Sequence, residues 1–137
     1  MLEKLAGHAL DNIEKFGFHL PVCLGHSPTG ESVWFVSEKS SGGQVDFQAC
    51  RESVLQTTRL WISEGKIAAV AFATVVHVKV ADPDGTHFES EAVKILVDHV
   101  DKKGYAAYLP YRLVDGKAIP EKIYYHELPE RFFARIE

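Results

Sequence analysis

At 137 residues, 46% apolar and 25% charged, the chain has the composition of one ordinary globular domain, long enough to bury a core without disulfide or metal staples. Its 15 basic and 19 acidic residues give a net charge of −4 with no basic run or stripe, which sets aside a nucleic-acid phosphate backbone and polybasic membrane attachment as partners. The start, Met1-Leu2-Glu3-Lys4, lacks a signal-peptide pattern and Ile67 to Val76 is half of the ~20 apolar residues a membrane helix needs, so a cytoplasmic protein is expected.

Leu2, Leu5, Ala9, Ile13 and Phe16 recur at spacings of three and four, which predicts a first helix stopped by Gly17. Phe18 to Gly25 and Glu31 to Ser37 are rich in strand formers and flank Ser27-Pro28-Thr29-Gly30, a first hairpin. Lys39 to Gln44 reads as a loop, after which Asp46 caps a second helix to about Ser63, with Phe47, Cys50, Val54, Thr58, Trp61 and Ile62 inward and Gly65 as its end. Cys23 and Cys50, far apart and without C-x-x-C spacing, suit reduced buried thiols. The adjacent Trp34 and Phe35 must point to opposite faces of their strand, which leaves one of them open to exposure.

Two long apolar strands, Ile67 to Val97, meet at Asp82-Pro83-Asp84-Gly85, a type I turn closed by a glycine bulge. Setting Asp82 against Thr86 pairs Val80 with Phe88, Val76 with Ala92 and Phe72 with Leu96, so the apolar faces match. A slip of one residue would turn valines onto a charged face. The same register pairs His77 with Glu91 and Lys79 with Glu89. Strand three is apolar on both faces, so it needs a cover on each, one of them a helix and the other the first helix or a second subunit. Tyr105 to Arg112 is a fifth strand, Val114 to Lys117 a turn, and Ile119 to Tyr125 a short edge strand before an aromatic tail, Tyr124 to Glu137. The expected fold class is α+β, a sheet of about five antiparallel strands with two main helices in the order α-β-β-α-β-β-β.

Val75 to Arg112, with His77-Val78-Lys79-Val80, Ser90-Glu91-Ala92-Val93, Val97-Asp98-His99 and Leu109-Pro110-Tyr111-Arg112, resembles a family of small uncharacterised bacterial proteins, and Phe18 to Leu24 resembles its first strand. The element order is similar to that of roadblock, longin and profilin-like domains. That resemblance implies a binding or dimerising module.

Candidate chemistry centres on His77 and Glu91, an imidazole beside a carboxylate and hence a possible general base, with Lys79 and Glu89 in the same patch. The plainer reading is a solvated hairpin end whose charges pair across strands for ~0.2–1 kcal/mol each. Tyr111 and Arg112 are binding candidates, Arg112 as an anion clamp or, with the tail aromatics, part of a protein contact. The same aromatics suit packing onto the domain's own core equally well. His19, Cys23 and His26 have zinc-ligand types, but His19 and Cys23 lie ~13 Å apart in a strand. No metal or cofactor is expected, and no catalytic motif is found. The leading reading is a non-enzymatic binding or assembly module acting as a homodimer through itself or another protein. Its rivals are a small enzyme or ligand-binding protein using His77 and Glu91, and an immunity or chaperone-like protein for one partner.

Overall fold

The computed structural model describes residues 2–16, 21–36, 40–41, 44–81, 84–128 and 132–133. Among them are two helices, α1 (Leu2–Phe16) and α2 (Phe47–Ser63), and nine strands. The strands are β1 (Val22–His26), β2 (Ser32–Phe35), β3 (Ser40–Ser41), β4 (Gln44–Val45), β5 (Ala69–Ala81), β6 (His87–His99), β7 (Tyr105–Val114), β8 (Lys117–Pro120) and β9 (Tyr124–Glu127).

The main sheet is antiparallel and seven-stranded, in the order β2-β1-β5-β6-β7, with β8 and β9 both on the outer edge of β7. The α+β class is as expected; the strand number and order are not. Lys39 to Gln44 does not stay a simple loop, since β3 and β4 pair there, and the expected edge strand Ile119 to Tyr125 is split in two.

The split has a local cause. Tyr111 faces Pro120 and Tyr108 faces Tyr124, so two residues of β7 lie opposite three of the edge, a one-residue bulge. The Glu121 N–H donates to the Pro110 carbonyl at 2.8 Å, which directs the polar groups of Pro110 to this edge. The proline nitrogen, having no hydrogen to donate, therefore faces the bulge, where the ladder is already interrupted.

β5 and β6 pair along all thirteen residues in the expected register, including Phe72 with Leu96, Val76 with Ala92 and Val80 with Phe88, while Asp82 and Pro83 of the expected turn lie outside the described residues. Alternation then divides the side chains between two cores. Ala71, Ala73, Val93, Ile95 and Val97 pack under Leu5, Ala9 and Ile13 of α1. Val70, Phe72, Leu96 and Cys23 pack under Val54 and Leu55 of α2. Both covers of the central strand are thus the chain's own helices, each large apolar side chain contributing ~1.5–3 kcal/mol by burial.

α2 is delimited as its ends predict. Asp46 accepts the Ala49 N–H at 3.0 Å, and at the other end Lys66 N–H bonds to Trp61 O and Gly65 N–H to Ile62 O, a Schellman close. Two inner-face expectations need correction. Phe47, in the first turn, is 47% exposed because it overhangs a cleft, and Leu55 joins the buried stripe. Neither Trp34 nor Phe35 is exposed: Trp34 is half-buried beneath His8 at 4.9 Å, and Phe35 meets Trp61 edge-on at 5.3 Å. No helix among the described residues is long and apolar enough to cross a membrane.

Candidate functional site

β1 pairs β5 only from Ala69 to Ala73, and β7 pairs β6 only up to Glu91. Past those points, among the described residues, β5 and β6 continue as a two-stranded arm. A cleft of about 580 Å³ opens at its root. The floor comes from the α2 face of the sheet, with Phe72, Thr74 and Val76 on β5 and Lys94 and Leu96 on β6. The wall is the first two turns of α2, with Phe47, Gln48 and Arg51. Val75, His77, Glu91 and Tyr111, of the opposite parity, also contribute, so the cleft follows the edge of β5 and touches both faces.

On the α1 side the structure joins two of the candidates directly. The Tyr111 hydroxyl donates to Glu91 Oε2 at 2.7 Å. Burial first, then the bond to Glu91 and its charge, hold the Tyr111 phenol well above its ordinary value, so it remains a donor. His77 stands across the ladder from Glu91, exposed and without a hydrogen bond or ion pair among the described residues. Lys79 and Glu89 face each other farther out on the same side, both exposed. Arg112 is separated from this group because it follows Tyr111 in a strand and so faces the other way. It pairs with Glu121 at 2.5 Å.

The cleft's own cations were not among the candidates. Thr74, Lys94 and Tyr108 form one cross-strand row, with Lys94 Nζ 5.8 Å from the Tyr108 ring centroid. Arg51 descends from α2 to 5.8 Å from the Phe72 ring centroid, in the adjacent row. Both side chains are half-buried, and neither forms an ion pair among the described residues. A signal for one of them exists in the sequence. Lys94 interrupts the otherwise apolar run Ala92 to Val97, where a lysine facing a closed core would be untenable.

No family model, curated protein or solved structure matches this chain. Its chemistry therefore has to be read from its own side chains.

The thiols offer no nucleophile on this geometry. Cys23 is buried, and burial pushes its thiol up to about 12, with a hydrogen bond to Thr58 acting in the opposite direction. Thr58 in turn donates to the Val54 carbonyl at 2.7 Å. Cys50 is also buried with its thiol free of any disulfide. Cys23 and His26 point to opposite faces of β1, and His19 lies outside the described residues. Among the described residues no three His, Cys, Asp or Glu side chains are grouped to hold a metal ion.

Proposed function

We propose that the protein is a non-enzymatic binding module that seats a small ligand in the cleft at the root of the β5–β6 arm. One observation carries this reading. A cleft of about 580 Å³ combines an apolar floor with a few polar groups, and ligand sites are typically ~300–1,000 Å³ and built that way. The arrangement around His77 supports binding over general-base catalysis. The Glu91 carboxylate that would orient the imidazole takes its hydrogen bond from Tyr111 instead, and the imidazole lies in solvent.

Filling the floor tests the reading. A bound ligand raises the melting temperature by RT ln(1 + [L]/Kd), so a chemically varied set of small acids, bases and neutral compounds should include members that stabilise the protein. Thr74→Trp, which fills the floor, should abolish those shifts while leaving the circular dichroism spectrum unchanged. Equal shifts in both proteins would locate binding elsewhere and overturn the proposal.

Self-association is a second reading, favoured by Leu113, Val114 and Ile119, which leave the β7–β8 hairpin 55%, 50% and 44% exposed.

A further inference from the structure

We infer that the ligand of this cleft is an organic anion, with its apolar body against Phe47 and Val76 and a carboxylate, sulfonate or phosphate group held between Arg51 and Lys94. The inference rests on the cleft reading above and narrows it to a chemical class.

Charge accounting around the cleft leads there. The chain is acidic overall, yet the two ionisable side chains on this floor and wall are both cations. Among the described residues no carboxylate forms an ion pair with either cation, and the nearby acids take hydrogen bonds from other groups. Asp46 Oδ1 accepts the Ala49 N–H at 3.0 Å in the helix cap, Glu52 Oε1 accepts from Gln48 Nε2 at 3.1 Å, and Glu91 Oε2 accepts from Tyr111. Arg51 and Lys94 are thus half-desolvated with only ring faces beneath them, and both rings lie near the ~6 Å outer limit of useful cation–π attraction.

A partly buried cation without an acid is unfavourable, and an incoming anion relieves it. The two groups divide the task by their chemistry. The guanidinium of Arg51 supplies a planar fork for two oxygens, and the ammonium of Lys94 a compact charge with rotatable donors. Adjacent residues on one face of a strand are ~7 Å apart, so the Phe72 row under Arg51 and the Thr74 row holding Lys94 are close enough for one acidic group to meet both long side chains. Thr74 pairs with Lys94 in that row and lines the same cleft, so it adds a third polar residue there.

A bare inorganic anion is excluded as the full occupant, because half-buried Val76 and Phe47, 47% exposed, would remain in contact with water along this cleft. A ring or chain bearing the acid covers them. A nucleic-acid backbone is disfavoured by the net charge of −4, which repels an extended polyanion while a single buried charge pair is little affected.

Two fluorescent probes of similar shape separate the possibilities: the anionic 8-anilinonaphthalene-1-sulfonate and the neutral N-phenyl-1-naphthylamine. The wild-type protein should bind the sulfonate more tightly than the neutral probe. Arg51→Gln combined with Lys94→Gln should weaken the sulfonate at least about tenfold, ~1.4 kcal/mol, and leave the neutral probe within about twofold. Lys94→Arg, which keeps the charge, should retain sulfonate binding, and Thr74→Trp should abolish both.

If both probes bind with equal affinity and the double glutamine variant changes neither, the anion assignment is overturned while the cleft remains a binding site. If neither probe binds, or both bind undiminished to Thr74→Trp, the cleft reading itself fails and the anion assignment with it. Circular dichroism of each variant verifies that lost binding is not lost folding.

Discussion

His26 closes β1 on the α1 side of the sheet, where the register sets it and His99 on either side of Ala69. Burial first, and then the nearby charges of Lys4 and His99, hold its imidazole below the ordinary histidine value. In the folded protein His26 therefore takes up a proton less readily than in the unfolded chain. Above the ordinary value of ~6.5 both forms are neutral and the contribution is fully present. As the pH falls below it the unfolded chain protonates first, and stability declines until the depressed folded value is passed. Denaturant unfolding between pH 7.5 and 5 should show this loss, and His26→Gln should flatten the slope. A His26→Gln protein with an unchanged slope would assign the acid sensitivity to other groups.

At the scale of elements, the buried carboxylate of Asp98 holds Phe132 and Phe133 of the C-terminal tail to the sheet. Asp98 is fully buried near the end of β6; its Oδ1 accepts the His99 N–H at 2.9 Å, and its Oδ2 accepts the N–H groups of Phe132 and Phe133 at 2.9 and 3.3 Å. Phe133 is buried, and Phe132 packs edge-on to Phe72 at 6.2 Å. These tail phenylalanines thus complete the domain's own core, the plainer of the two sequence readings, while Tyr125 alongside is 60% exposed. Gly104 permits the junction, because a Cβ there would lie 2.5 Å from the Val97 carbonyl oxygen and 2.9 Å from Asp98 Oδ1. Asp98→Asn keeps the shape but loses charge-assisted bonds, and should lower the unfolding free energy by about 2 kcal/mol. Phe133→Ala should lower it by ~3–5 kcal/mol. Urea unfolding measures both, and wild-type midpoints would show that the tail does not support the core.

For the whole molecule, the self-association proposed above would run through the exposed apolar side chains of the β7–β8 hairpin. Pairing alternation puts Val114 and Ile119 on one face of the β7–β8 hairpin, where Asp115 and Gly116, at φ 51° and 77°, form a tight two-residue turn. Replacing both with glutamate should convert a wild-type dimer to a monomer in sedimentation velocity without altering the melting temperature; a wild-type monomer would remove self-association from consideration. Much of this molecule follows from neighbours in the chain. The β5–β6 register follows from turn chemistry and a period-two apolar pattern, and the ends of α2 from Asp46 and Gly65, because each is decided by interactions within a few residues. His77 opposite Glu91 follows from the same register. What sequence could not determine is which distant side chains share a space. Tyr111 reaches Glu91 from the next strand, Arg51 reaches the Phe72 row, beside that of Lys94, only once α2 has docked on the sheet, and Asp98 receives a tail more than thirty residues away. Those contacts depend on how layers pack across the faces of the sheet, and packing is non-directional burial that leaves no local periodicity to read.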